Sequence, residues 1–244
     1  LKDLVSHYWV ATWDSKFSSL NSRYYTVANT LTDITFAFNS KNGNDPIVFS
    51  VIQGHTGKSD QQSVPEFNHL LGVSLFSHAV PMLLNCKPTD LLDEFITLKD
   101  LLGNEGENLT RGIESSFNLS EQIHLLNQFF YKRLNPNVKM DERIASSIRL
   151  IKSTQGFLKI TDLADATCLS QKQFERRFKD FTGFNPKVFS RIIRFEGVVK
   201  SERTWNTHTQ AAHELGYHDQ AHFIRDFRLF TGMSPREFWK LGDS

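Results

Sequence analysis

Two stretches near the carboxy-terminal end decide the fold. They are LADATCLSQKQFERRFKDFTGFNPKVF (Leu163–Phe189) and AHELGYHDQAHFIRDFRLFTGMSPREF (Ala212–Phe238). Phe174, Phe178, Phe181, Thr182, Gly183, Pro186 and Phe189 recur 49 positions later as Phe223, Phe227, Phe230, Thr231, Gly232, Pro235 and Phe238. Ahead of them the offset is 48, pairing Ala164 with Ala212 and Cys168 with Gly216, so the second copy carries one extra turn residue. An internal duplication of this kind means two similar supersecondary units.

Each copy reads as helix, tight turn, helix. In the first, Ile160, Leu163 and Ala164 form a short apolar face, Cys168 and Leu169 mark the turn, and Ser170 is the expected N-cap. The following helix buries Phe174, Phe178 and Phe181 and stops at Gly183. In the second, Ala211, Ala212 and Leu215 precede the Gly216–Tyr217 turn, Asp219 caps, Phe223, Phe227 and Phe230 turn inward, and Gly232 ends the helix.

With the Phe stripe inward, helical geometry assigns the opposite face. It displays Lys172, Gln173, Glu175, Arg176 and Lys179 in the first copy, and Gln220, Ala221, His222, Ile224, Arg225 and Arg228 in the second. Arg, Lys, Gln and His near the start of an exposed helix are the groups that read base edges in a major groove. A solvated face is the bland alternative, but both copies place Arg at the same turn, Arg176 and Arg225. Glu175 and Asp226 are expected to oppose phosphate binding and so to moderate non-specific affinity.

These motifs, FERRFKDFTGFNP and GY-x-DQ-x-HF-x-R-x-F-(x)3-TG-x-SP, resemble the DNA-binding domain of AraC/XylS-type bacterial transcription regulators over about residues 141–240. The resemblance implies an all-α domain of seven helices, two helix–turn–helix units joined by a rigid helix from about Pro186 to Arg203. At 1.5 Å per residue that helix is roughly 25 Å long, suited to successive major grooves about 34 Å apart. Carried over by position, base contacts fall on Lys172, Gln173, Glu175, Arg176, Gln220, Ala221, His222 and Arg225. Phosphate contacts fall on Ser170, Lys179, Arg191 and Arg228. The pattern departs at Cys168, where a turn glycine is usual, at Arg177 and Asp226, and at Glu175 and Ile224 beside the two arginines. His213, His218 and His222 are close in sequence but separated by a turn, so no metal site is expected there.

The rest of the 244-residue chain reads as strands followed by helices. Leu4–Trp13, Tyr24–Thr30, Ile34–Asn39, Ile47–Gln53 and Leu70–Phe76 are rich in Val, Ile, Phe, Tyr and Trp and are separated by turn residues, notably Lys41–Pro46. After Pro88 helical spacing takes over, clearest from Ser120 to Leu134, where Leu119, Ile123, Leu126, Phe130 and Leu134 share a face and Ser120 is the expected N-cap. That helix serves its own core or a second copy of the chain. VSHYWV and LGVSLFSHAVPMLLNCKPTDLLDEFITLKDLLG, ending at Gly103, are more weakly similar to regulatory domains preceding this DNA-binding module, a small β-sandwich or barrel followed by helices. The fold class expected is therefore α+β, with a regulatory or dimerisation domain over 1–135 and the DNA-binding domain over 140–244. The partners implied are double-stranded DNA, RNA polymerase, a small-molecule effector and a second copy.

Charge supports the division. Residues 1–140 carry 11 basic and 14 acidic side chains, and residues 141–244 carry 17 and 13. Two cysteines, Cys86 and Cys168, exclude a disulfide framework and point to a reducing, cytoplasmic setting. Apolar runs are far shorter than the ~18 residues of a membrane span. No basic-then-apolar leader opens the chain at Leu1, and the missing methionine suggests a shortened chain.

An enzymatic reading has four footholds. Gln53–Ser59 resembles the tail of a phosphate-binding loop, but Ile52 stands where that motif needs glycine, so a hairpin turn is expected. His7, His55, His69, His78 and Cys86 lack metal-ligand spacing. Asp90, Asp93 and Glu94 read as the solvated start of a helix. Tyr8, Trp9, Trp13, Tyr24, Tyr25, Phe36 and Phe38 read as sheet packing, although a ring-lined barrel could hold a small molecule. No catalytic residue, cofactor or metal is expected. Behind DNA binding stand an interaction module whose DNA binding has degenerated, and then an NTPase or hydrolase in the first domain.

Overall fold

The computed structural model describes residues 1–12, 23–39, 46–200, 216–217 and 219–241. Trp13, most of the Lys41–Pro46 turn, the first helix of the second copy (Ala211, Ala212, Leu215) and His213 and His218 lie outside the described residues. The chain divides into two compact units, one of residues 1–25, 31–55 and 61–139, the other of 26–30, 56–60 and 140–244.

In the first unit, β1 (Val5–Thr12), β3 (Leu31–Phe38), β4 (Ile47–Gln53), β6 (His69–Phe76) and β7 (Phe95–Thr97) form an antiparallel sheet in the order β1-β6-β3-β4-β7. A two-stranded ribbon pairs β2 (Arg23–Thr26) with β5 (Asp60–Ser63). The strand period of two sorts side chains to the faces. Ile34, Phe36 and Phe38 join Leu71, Val73 and Leu75 in one core, whereas Ala37 and Leu70 meet Tyr24 and Phe67 in a smaller core on the other. Central strands covered on both faces read as nearly unbroken apolar runs, as β6 does.

Helices close the larger core: α1 (Val80–Leu83), α2 (Leu98–Leu102), α3 (Asn104–Glu114) and α4 (Leu119–Arg133). Leu109, Ile113, Leu126 and Phe130 are buried in it, and Tyr8 Oη donates to Asn127 Oδ1 at 3.0 Å, tying β1 to α4. Leu126 and Phe130 of the α4 face thus serve their own core, each fully buried apolar side chain contributing about 1.5–3 kcal/mol, while Leu119 and Leu134 at the two ends of the stripe are exposed.

Three expectations are corrected. Asn118, two residues ahead of Ser120, caps α4, accepting from Glu121 N at 3.0 Å; its extended backbone frees the side chain for that bond. No helix starts at the acidic cluster. Pro88–Asp90 is one 3-10 turn in which Asp90 Oδ2 accepts from Lys87 N, and the chain then enters β7. Gln53–Ser59 is not a hairpin either, because β4 and β5 belong to different sheets.

The second unit contains α5 (Glu142–Ser153), α6 (Ile160–Ala166), α7 (Gln171–Thr182), α8 (Pro186–Lys200), α9 (Gln220–Thr231) and α10 (Pro235–Leu241). α8 is its spine. Phe189 meets Phe178 edge-on at 5.3 Å, and two turns later Phe195 meets Phe227 at 5.5 Å and Phe230 at 5.3 Å. Phe174, Phe178, Phe223, Phe227 and Phe230 are all buried, but Phe181 is only half-buried. The duplicated stripe therefore packs as two aromatic clusters on a common helix. Segments 26–30 and 56–60 belong to this unit: Ala28 N and Ser59 N donate to Phe230 O and Leu229 O, satisfying carbonyls in the last turn of α9.

Candidate nucleic-acid interface

Both expected caps form. Ser170 Oγ accepts from Gln173 N at 3.4 Å while Gln173 Oε1 accepts from Ser170 N at 3.2 Å, a reciprocal capping box that starts α7. Asp219 Oδ1 accepts from His222 N at 2.7 Å and starts α9. Gly183 and Gly232 end the two helices in left-handed conformation.

The turns match as well. Cys168 sits at φ +53° and Gly216 at φ +62°, so the cysteine holds the left-handed geometry that a glycine supplies without a Cβ clash. For a non-glycine residue this conformation costs about 1–2 kcal/mol, and glycine's greater freedom in the unfolded chain offsets roughly 0.5–1 kcal/mol of any gain. Cys168→Gly is therefore expected to stabilise the protein by about 0.5–1 kcal/mol, read as a higher urea midpoint at unchanged slope. A lower midpoint would show that the thiol contributes packing outweighing the strain.

The second turn is anchored from α8. Arg194 Nη1 donates to Gly216 O at 3.3 Å, and its guanidinium lies over the Tyr217 ring at 5.4 Å. Tyr217 is buried against His222 and Phe223, and this burial pushes its phenol well above the usual range.

On α7, Lys172, Gln173, Arg176 and Lys179 are exposed, and Gln173 already shares its oxygen with the cap. Glu175 is half-buried and accepts from Gln171 Nε2 at 2.9 Å. On α9, Gln220, Ala221, Arg225 and Arg228 are exposed, and His222 and Ile224 are half-buried. Arg176 and Arg225 thus occupy equivalent open positions, each six residues beyond its cap. Ser170 is exposed beside the α7 cap.

Asp226 does not oppose an incoming phosphate from this face. Its side chain is 1% exposed and holds Arg191 of α8, with Nη2 to Oδ1 at 2.5 Å and Nε to Oδ2 at 3.0 Å. Arg191, expected at a phosphate, is committed to that carboxylate, whose hydrogen bond raises the guanidinium pKa further. Arg177, the equivalent of Asp226 in the first copy, makes the same kind of tie with reversed charge, its Nη2 lying 2.6 Å from Asp141 Oδ2 at the start of α5. Each exposed-face helix is thereby pinned to a helix that precedes its own copy in the chain.

The nucleotide-loop reading fails on its backbone. Gly54 N donates to Glu94 O, Thr56 N to Asn29 O, Lys58 N to Thr56 Oγ1 and Ser59 N to Leu229 O, so these amides have no capacity to cradle a phosphate. Among the described residues no cluster of His, Cys, Asp and Glu could hold a metal ion, and no helix is long and apolar enough to cross a membrane.

Two capped helices, each following a left-handed turn residue and each presenting an arginine outward, are the arrangement of helix–turn–helix units. Comparison bears this out: residues 163–240 match the family described as "Helix-turn-helix domain", and residues 1–97 match "Domain of unknown function (DUF6597)". Residues 163–240 thus match a helix–turn–helix domain of the AraC type. No curated protein sequence matches the chain. Similar solved structures include ToxT from Vibrio cholerae in a P21 crystal form (12% identity, TM-score 0.46, covering 97% of this chain and 98% of that one). ToxT from strain O395 shows 13% identity and a TM-score of 0.47, covering 98% and 97%. Unsaturated fatty acid bound ToxT from strain SCE256 shows 9% identity and a TM-score of 0.45, covering 98% and 96%.

Proposed function

We propose that the protein is a cytoplasmic, sequence-specific transcription regulator whose α7 and α9 read successive major grooves, while the first unit regulates that binding through a small ligand or through pairing of subunits. The observation that carries the reading is the equivalence of Arg176 and Arg225, both outside the two buried Phe stripes and both open to a duplex. Lys172, Gln173, Gln220, Ala221 and His222 flank them as the remaining base-edge groups, with Glu175 held back by Gln171. Ser170, Lys179 and Arg228 suit phosphates. Arg191 contributes instead by holding α9 in place.

Selection of bound fragments from random DNA by the purified protein supplies the operator. On it, Arg176→Ala and Arg225→Ala are each expected to cost about 1–3 kcal/mol and to relax preference at one base position. Lys179→Ala is expected to weaken operator and random DNA alike, and to flatten the log affinity against log salt slope by about 0.9. Equal losses on both DNAs for all three variants would contradict base readout.

A further inference from the structure

We propose that the second unit carries a phosphate-binding cleft where the loop between α5 and α6, the middle of α8 and the start of α9 meet. The cleft encloses about 630 Å³, within the usual range of small-ligand sites. Lys159, Lys187, Arg191, Arg194 and Arg225 line it. Among the described residues the one carboxylate in the lining, Asp226, is already neutralised by Arg191. No second carboxylate among the described residues joins these cations in the lining.

Two buried polar atoms point to the missing partner. Ser190 Oγ and Arg194 Nε, both on cleft-lining residues, are buried with no hydrogen-bond partner among the described residues, and Ser190 is 5% exposed. A buried donor left unmade is unfavourable, so an acceptor oxygen is what this wall lacks. Arg194 is also immobilised: Nη2 donates to Gly156 O at 2.8 Å, Nη1 to Gly216 O at 3.3 Å, and the guanidinium is held between the rings of Phe157 and Tyr217. Its Nε is therefore preorganised. Gly156, at φ +78°, brings the loop so close to α8 that a Cβ there would lie 2.2 Å from Ser190 O, which closes the wall.

Ser190, Arg194 and the Lys187 ammonium on α8, the Lys159 ammonium on the α5–α6 loop and the Arg225 guanidinium on α9 approach from three walls, which suits a tetrahedral phosphoryl group that offers acceptors in several directions at once. Such a group comes from the duplex backbone or from a free phosphorylated molecule. The first source rests on the DNA-binding reading and the second does not.

The test uses the full chain, with Lys159→Gln/Lys187→Gln (both exposed in the native protein) and Ser190→Ala, each checked for an unchanged melting temperature. Inorganic pyrophosphate is titrated calorimetrically into DNA-free protein, and affinity for a random duplex is measured across salt concentrations. Saturable pyrophosphate binding, weakened at least tenfold in both variants, would assign a free phosphorylated ligand. No pyrophosphate binding, with the salt slope of the double-lysine variant flatter by about 1–2, would assign a backbone phosphate. Unchanged behaviour in both arms overturns the cleft. Absence of any duplex binding by the native chain would sink the DNA reading, and the pyrophosphate arm would still decide this one.

Discussion

Arg191→Met is expected to destabilise the second unit by about 3–5 kcal/mol, because it strands a carboxylate that is almost fully enclosed. Asp226 is 1% exposed while Arg191 retains 27%, so the two truncations are unequal. Removing the arginine leaves an uncompensated buried charge. Asp226→Asn leaves a cation that can still reach water and a neutral amide that can still accept, and should cost clearly less. Arg191→Met/Asp226→Leu should recover most of the loss, since a buried ion pair replaced by packed apolar groups is often neutral. Chemical denaturation of the three variants measures this. Were Arg191 only a phosphate contact, Arg191→Met would lower DNA affinity and leave the unfolding midpoint where it was.

Acidification is expected to weaken the first unit through His55. The imidazole is wholly enclosed between β3 and the segment before β7, with Nδ1 3.1 Å from Thr32 Oγ1 and the backbone carbonyl accepting from Asp93 N. Burial depresses its pKa from 6.5 to about 4, with Asp93 acting weakly in the opposite sense. The unfolded chain then binds a proton that the folded chain refuses. The stabilisation is complete above pH 6.5, declines as pH falls toward 4 and is absent below it, a change of about 3 kcal/mol across the window. His55→Asn should remove that share of the pH dependence while leaving the carboxylate contribution at lower pH. Parallel stability curves for the two proteins between pH 6.5 and 4 would refute it.

The second unit was legible in the sequence because its signals are local. A Phe every three or four residues, Ser170 and Asp219 at the starts, and Gly183 and Gly232 at the ends depend on neighbours within a turn of helix, and each lies where those neighbours require. The strands β3, β4 and β6 were legible for the same reason. β5 was not, since DQQS has no apolar alternation and is a strand only because β2 pairs with it. Cys168 shows a further limit: its left-handed backbone is imposed by the turn that α6 and α7 require, against the residue's own preference.

Side-chain role divides along the same line. Periodicity along the chain determined which faces of α7 and α9 turn inward, and so which arginines stand open, because a helix repeats its geometry every few residues. Whether Asp226 repels a phosphate or holds a helix, and whether Ser190 and Arg194 meet an anion, depends on groups beyond their own helices, such as Arg191, 35 residues from Asp226, and Gly216, 22 residues from Arg194. Only folding brings those charges within hydrogen-bonding distance and removes the water between them, and the exclusion of water makes such contacts strong enough to reassign a residue.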